Sequence, residues 1–558
     1  MPKFLKTWIA IIATLLLAST TGCAQLPRDG QIQIGPDLQS GLESDYLYYS
    51  PGSPVAGSTP DEILAGFLNA GTGPQNDYAT AREYLSSDLK ANWVPNKNVL
   101  IQEGRPEITF DNAYGATVKL KVKAEVDAQG QYTQLPNGTT RELHYKLALE
   151  ADEWRIASAP DLTMVIQPVF DVIFHGYSLY FFDNQFQHLV PDLRWFPSRA
   201  STSTRLIAAL LDGPSSWLRP GVKTAIPSGT KLSLSAVAVA NGVATVDLSN
   251  TALQASASER KFMMAQITET LMQLSNVLSV QLLIERAPQD ILAFTNPNRF
   301  GFANQPVILQ NSNLIELSGS NSMALSEFNT PMKAISPSDF AITSDRKRAV
   351  FLNGLGLYAY NTSRVGTAPQ LLLKAKRLLA PIIDSSGFIW AVPKDKDQPV
   401  SVFNANGEPV GFYSGWLNGR SRAGFSLSPE GSRVILTSAG GSVYAAVVIR
   451  DKNGVPIGLG DAIEPFLNGK SIRKAVWLKD STVAMLHDDG NNMVTPIIAT
   501  LGGASFELPA VAGATNIAST SSVNGFYVHT IDGELYFYRN SSWMPLREDV
   551  VAIHVSSD

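Results

Sequence analysis

Between Val118 and Val126 the chain alternates. Val118, Leu120, Val122, Ala124 and Val126 are apolar, and Lys119, Lys121, Lys123 and Glu125 stand between them. A period of two predicts a half-buried antiparallel strand. Leu143, Tyr145, Leu147 and Leu149 repeat the pattern, and Trp154-Arg155-Ile156 ends the set. Upstream the period lengthens to that of a helix. Thr59 suits a cap, Pro60 the first helical position and Glu62 a capping box, with Ile63, Leu64, Phe67 and Leu68 on one face. A second helix is expected from Asp77 to about Trp93, with Tyr78, Ala81, Leu85 and Leu89 on its apolar side. Helices followed by a sheet predict a cone-like α+β domain over residues 59–165. The Lys119, Lys121 and Lys123 stripe reads first as a solvated strand face that discourages edge pairing. The competing reading is contact with anionic headgroups or cell-wall polymer.

A second α+β domain is expected over 186–290. Leu189-Val190 and Leu193 to Phe196 are strand-like, and a helix from Thr204 to Asp212 buries Leu206, Ile207, Leu210 and Leu211 before Gly213-Pro214 stops it. Leu232 to Val239 and Val243 to Leu248 flank Asn241-Gly242, a strong hairpin signal. Ser256 with Glu259 opens a long helix carrying Met263, Ile267, Leu271 and Leu274 on one stripe, and Val280 to Ile284 reads as the closing strand.

From 300 to 558 short strands and Gly-, Asp-, Asn- and Ser-rich turns replace helical periodicity. A weak repeat has turn anchors at Asp345, Asp384, Glu430, Asp480 and Asn524, spaced by 39, 46, 50 and 44 residues. That spacing suits four-stranded propeller blades. Five anchors give five blades. Leu314 to Leu317, closed by the final strand Val550 to Val555, would make a sixth and remove the exposed edges of a linear array. The expected fold is therefore multidomain, two N-terminal α+β domains followed by an all-β propeller of about six blades. The first domain also resembles the cone-shaped nuclear-transport-factor type, although no His, Asp or Glu cluster points into its pocket by pattern.

Ahead of the domains, Lys3 and Lys6, an apolar run from Trp8 to Ala18 and Thr20-Thr21-Gly22 lead to Cys23, the one cysteine among 558 residues. Basic start, short apolar run and small residues describe an export signal over 1–22. The run is shorter than the roughly 20 residues of a comfortable membrane span. A cysteine just after the cleavage point can take an S-diacylglyceryl thioether, and its freed amine an N-acyl chain. The stretch resembles the bacterial lipobox, from which Thr20 departs where Leu is usual. Residues 23–58 then form a lipidated tether that, as a flexible coil, spans roughly 30 to 35 Å.

Composition narrows the function. Apolar content of 44% and charged content of 17% are those of globular protein. The formal charge moves from −5 to −7 once Lys3 and Lys6 leave with the signal, so nucleic acid is not an expected partner. One cysteine also excludes an intrachain disulfide. Catalytic motifs are weak. Ser471-Ile472-Arg473-Lys474 matches S-x-x-K by chance, and Gly419-Arg420-Ser421-Arg422 lacks the last glycine of a nucleophile elbow. His144, His175, His188, His487, His529 and His554 are scattered. His487 to Asn492 clusters oxygen ligands without calcium-loop spacing, and a polar hairpin turn is the preferred reading. Trp390, Trp416, Trp477 and Trp543 read mostly as blade core, with one or two available as partner anchors. No catalytic, metal or cofactor residue is assigned.

Arg194-Trp195-Phe196-Pro197-Ser198, Leu210 to Leu218 (L-L-D-G-P-S-S-W-L), Ala244 to Ser249 and Tyr78 to Leu85, between a lipobox and a propeller, resemble the LpqB family of actinobacterial lipoproteins, with a GerM-type middle domain. The resemblance implies a non-enzymatic accessory role at the outer face of the cell membrane. It implies contact with the extracytoplasmic domain of a sensor histidine kinase (MtrB-like) of a two-component system that tunes cell-wall homeostasis and division. Only Cys23 carries over, as the lipid attachment site. The alternative is an envelope binding protein or enzyme for a cell-wall saccharide or peptide. Cys23→Ala is expected to move the protein from the membrane to the soluble fraction with an unchanged circular dichroism spectrum. Retention in the membrane pellet would refute the anchor.

Overall fold

Thr59 and Glu62 start the first helix as their spacing indicates. In a computed structural model of the chain, the Thr59 N–H donates to Glu62 Oε2 at 2.9 Å, and helix α1 (Pro60–Ala70) buries Ile63, Leu64 and Phe67. The structure describes residues 51–558 except 75, 113, 199–200, 290, 292–300, 320, 364–367, 418, 467–470, 521–524 and 558. Cys23, the leader, most of the tether and the turn anchor Asn524 lie outside the described residues.

The second expected helix is two short ones, α2 (Ala79–Glu83) and α3 (Ser87–Asn92). Asn76, Asp77 and Tyr78 all have positive φ, which delays the start. The break comes at Leu85, because the Ser86 N–H donates to the Ile156 carbonyl and the Ile156 N–H to the Tyr84 carbonyl, each at 2.9 Å. A strand has taken the backbone groups that a continuous helix needs.

Six strands follow: β1 (Asn98–Asn112), β2 (Gly115–Asp127), β3 (Tyr132–Gln134), β4 (Thr140–Glu150), β5 (Glu153–Ser158) and β6 (Thr163–Ile166). They form the order β5-β4-β2-β1-β6, with β6 parallel to β1 and β3 added to β2. Phe67, Trp93 and Tyr145 centre the core, with Phe67 5.1 Å from Trp93 and 6.2 Å from Tyr145 between ring centroids. The lysine stripe is solvated as expected, but it guards no edge, since β2 lies between β1 and β4. Its cross-strand neighbours are acidic. Glu107 faces Lys119 and Glu103 faces Lys121 across β1, while Lys119 Nζ lies 3.5 Å from Glu142 on β4.

Between the first two domains, residues to which the periodicity assigns nothing form α4 (Gln167–Ile173) and β7 (Phe174–Phe182). β7 pairs along its length with β8 (Leu189–Pro197). Then come α5 (Thr202–Asp212), β9 (Ala238–Ala240), β10 (Val243–Leu248), α6 (Ala257–Leu271), β11 (Ser279–Ile284) and β12 (Ala287–Pro288). The β9–β10 hairpin turns through Asn241 and Gly242 at φ 51° and 79°, the left-handed pair that a two-residue turn requires. Helix α6 is the crossover between parallel β10 and β11, capped by Ser256 and Glu259 in both directions at 2.8 and 3.2 Å. The strand expected from Leu232 is cut to β9. Lys231 and Ser233 still bond the backbone of Ser249 and Asp247, but Val237 is captured by α5, its N–H on Thr204 Oγ1 and its carbonyl on Ser203 Oγ.

The propeller has six sheets among the described residues, each built on four strands and one carrying a short fifth. Blade 1 takes three strands from its own start (307–310, 313–318, 321–324) and is closed by Val550–His554, in register from Val307↔His554 to Gln310↔Val550. The strands nearest the axis are Val550–His554, Asp339–Ile342, Ile382–Ile383, Arg422–Leu427, Ile472–Lys479 and Ala514–Ser519, for blades 1 to 6. Trp390 and Trp477 are buried blade core. Trp543 is partly exposed and donates to the Pro509 carbonyl at 2.7 Å.

His554 ends the closing strand, its ring 5.9 Å from Phe340. Burial, reinforced by the nearby Arg346 cation, pushes its pKa from 6.5 down to about 4, against a backbone hydrogen bond to Ile342. In the unfolded chain the ring takes up a proton near 6.5, so the unfolded state binds protons first as the pH falls. The stability that neutral His554 contributes is full above about 6.5 and is lost between 6.5 and 4. Thermal melts of His554→Gln should therefore show a shallower loss across that interval than the native chain. Identical slopes would remove His554 as the cause.

Candidate functional site: a three-domain junction and a charged channel mouth

Strand β8 joins all three domains. On its buried side Arg194, 2% exposed, pairs with Asp192 at 2.7 Å. Asp192 also accepts the Ser215 N–H at 2.8 Å and the Ser215 hydroxyl, which ties the Gly213-Pro214-Ser215 turn to the strand. Gly213 at φ 94° makes that turn possible. The guanidinium reaches on to the Gln129 carbonyl of the first domain at 3.0 Å. On the other side Trp195 packs 5.3 Å from Phe170 and 6.2 Å from Tyr132, and its indole N–H donates to the Gly502 carbonyl in blade 5. Two glycines allow this approach. A Cβ on Gly130 would stand 2.9 Å from the Phe196 ring, and one on Gly503 2.7 Å from the Trp195 ring.

The middle domain also seats on blade 4. A Cβ on Gly221 would meet Val447 at 2.4 Å. Asn184 and Gln185 donate to the carbonyls of Arg450 and Asp451 at 2.7 and 3.0 Å. Two of the turn anchors, Glu430 and Asp384, show their role here. Glu430 holds the fully buried Arg433 at 2.7 Å, and that guanidinium lies 4.5 Å over Trp477 while reaching the Pro191 carbonyl at 3.4 Å. Asp384 holds Arg450 at 2.7 Å and accepts from the Trp390 indole at 3.1 Å. A cleft of about 480 Å³ opens between the first two domains, lined by Trp93, Lys97, Gln129, Phe196, Arg205 and Asp212 among others.

The far end of the propeller axis carries charge. Asp339 opens the inner strand of blade 2, and Lys474 lies near the start of that of blade 5, directly opposite in a six-membered ring. Lys394 joins them from a long loop of blade 3. Burial pushes Asp339 up, against the pull of Lys474, the Phe340 N–H and Lys394. Burial pushes Lys474 down, and Lys394 adds to the effect while Asp339 opposes it. His529 is lowered mainly by burial, and Lys474 contributes against its hydrogen bond to the Val550 carbonyl.

The residues singled out from sequence fall differently. Cys23 is outside the described residues. His487 to Asn492 is a hairpin tip, with Asn491 and Asn492 at φ 51° and 62° and His487 3.3 Å from Asp489. No group of three metal-ligating side chains occurs among the described residues. The S-x-x-K match does not form a catalytic pair: Ser471 precedes the strand, and Lys474 belongs to the channel. Asp339 and Lys394 carry no motif, and only the blade register brings them near Lys474.

Three family models account for most of the chain. Residues 53–171 match the lipoprotein LpqB N-terminal domain, 178–290 the sporulation and spore germination (Germane) domain, and 316–552 the lipoprotein LpqB β-propeller domain. The chain belongs to the LpqB lipoprotein family. It is 28% identical over 251 residues to the LpqB lipoprotein of Cutibacterium acnes, covering 45% of this chain and 42% of that one. The Streptomyces coelicolor LpqB lipoprotein is 25% identical over 482 residues, 76% of each chain. That of Nocardia farcinica is 32% identical over 210 residues, 37% of this chain and 33% of the relative. Against the Cutibacterium, Thermobifida and Bifidobacterium proteins the matched region spans less than half of the relative's length. LpqB is the name of a lipoprotein family and not of an enzyme family, and no helix among the described residues is long and apolar enough to cross a membrane. The LpqB-like segments R-W-F-P-S and L-L-D-G-P-S-S-W-L are the two that build the junction.

Trp195→Ala should leave each domain folded while loosening their union, at a cost of about 2 kcal/mol for a half-buried tryptophan. Small-angle scattering should then show a larger radius of gyration with unchanged circular dichroism. An unchanged profile would show that Trp195 does not hold the domains together.

Proposed function

We propose that this LpqB-family chain is a lipid-anchored interaction protein on the extracytoplasmic face of the cell membrane. Its body contacts the extracytoplasmic domain of a sensor histidine kinase (MtrB-like) and biases its signalling state, and thereby affects cell-wall homeostasis and division. The observation that carries the reading is the junction at β8. Guanidinium-to-carbonyl hydrogen bonds from the buried Arg194 and Arg433 and the shared Trp195 link the three domains, so a contact made by the propeller bears on the first domain as well. Confinement by the Cys23 anchor raises the effective concentration of the body near a membrane-embedded partner. Family membership supports the anchor.

A chain starting at residue 23 with Cys23→Ser should bind the purified kinase ectodomain by calorimetry at micromolar concentrations. The native lipoprotein should co-purify with the kinase from membranes. Failure of both would overturn the proposal.

A further inference from the structure

Two arginines stand at the same place in the propeller repeat, and the fold completes only one of them. In blade 4 the turn runs Ser428-Pro429-Glu430-Gly431-Ser432-Arg433, and in blade 2 it runs Thr343-Ser344-Asp345-Arg346-Lys347-Arg348. The hydrogen bonds match position by position. Each first hydroxyl donates to the acidic anchor at 2.6 Å, Ser428 to Glu430 and Thr343 to Asp345. Each also accepts the arginine backbone N–H, at 3.0 and 3.2 Å. Arg433 then closes on Glu430 at 2.7 Å, lies over Trp477 of the next blade and reaches the Pro191 carbonyl.

Arg348, half-buried, closes on nothing comparable. Asp345 is a methylene shorter than Glu430, and its carboxylate takes the Lys347 N–H at 3.0 Å and lies 4.0 Å from Lys347 Nζ. Glu316 pairs with Arg346, and across the seam Asp384 is held by Arg450, each at 2.7 Å. Among the described residues no carboxylate is in ion-pair contact with Arg348, and no carbonyl accepts from its guanidinium. The side chain crosses to blade 3, where a Cβ on Gly387 would stand 2.7 Å from its Nη2. There it borders a cavity of about 70 Å³ between blades 2 and 3. Asn361, the cross-strand partner of Arg348, lines it with Gln370 and Asn406, and Ile383 and Ile389 supply an apolar wall. Among the described residues no acid lines it.

Blade 4 shows what this position of the repeat takes: a carboxylate on the guanidinium and an apolar body beside it. The planar fork of N–H donors matches the two oxygens of a carboxylate, and bonds to an ionised acceptor are the strong ones. At roughly 10–15 Å³ per enclosed water, the volume admits about five water-sized groups, the size of a short aliphatic acid. We propose that the seam between blades 2 and 3 binds a small aliphatic carboxylate, its oxygens on Arg348 and its carbon chain against Ile383 and Ile389. The amides of Asn361, Gln370 and Asn406 are placed for a second polar group, such as the peptide bond of a C-terminal residue. The proposal is independent of the kinase contact.

The test is calorimetric titration of the full-length chain in detergent, at constant pH and ionic strength, with propionate, N-acetylalanine and inorganic phosphate in turn. Saturable binding of a carboxylate at millimolar concentration is expected. Tighter binding of N-acetylalanine marks a peptide end as the ligand, and tighter binding of propionate a free acid. Arg348→Met should weaken binding by about tenfold or more, the loss of a charge-assisted contact. Asn361→Asp sets a carboxylate of the chain itself opposite Arg348. It should abolish binding while raising Tm, a gain that also shows the variant to be folded. Non-saturable heats with both carboxylates, tighter binding of phosphate, or undiminished affinity in Arg348→Met or Asn361→Asp would overturn the proposal.

Discussion

The architecture depends on how one guanidinium is held. Arg194 is withdrawn from water, paired to Asp192 and extended to a carbonyl of the neighbouring domain. A buried pair of this kind adds little net stability over a well-packed apolar pair, but losing one partner costs about 3–5 kcal/mol, because the other charge is left buried. The interaction therefore enforces a geometry more than it supplies stability. Its geometry places Trp195 on the opposite side of β8, where the first domain and blade 5 both close on one indole.

The same logic recurs inside the propeller. Glu430–Arg433 and Asp384–Arg450 are buried pairs at the blade turns, and each sits beside a contact with the middle domain. An aromatic ring completes both, Trp477 under Arg433 and Trp390 against Asp384. The residues that set blade register thus also set where the propeller meets its neighbour. Gly502, Glu430 and Asp451 all lie in turns at one end of the blades, and the Lys474 mouth lies at the other. One end of the propeller is committed to the body, and the other presents charge.

Much of the fold was legible because its signals are local. Capping boxes at Thr59 and Ser256, the Asn241-Gly242 turn and the alternation in β2 each need only a few adjacent residues. Closure of blade 1 by the last strand was legible for a different reason: a ring of sheets leaves no other tolerable place for two unpaired edges. The misreadings share a cause too. The helix expected from Asp77 to Trp93 has adequate periodicity, but Ile156, 70 and 72 positions further on, claims the backbone at Ser86 and Tyr84. The strand expected from Leu232 loses Val237 to two hydroxyls of α5. In both cases a distant hydrogen-bond partner outcompeted local preference, and no local pattern records such a partner.

The sites divide in the same way. Cys23 is expected to be the lipid attachment site from the residues immediately before it, so that expectation comes from sequence alone, as do the propeller class and the family segments. Why those segments matter was decided only in three dimensions, where R-W-F-P-S and the G-P-S turn converge on Asp192 and Arg194. Lys474 shows the limit most clearly. In sequence it completes an accidental S-x-x-K, but the ring carries it across an axis from Asp339, 135 positions earlier in the chain. Electrostatics depends on distance through space, and only the closed propeller sets that distance.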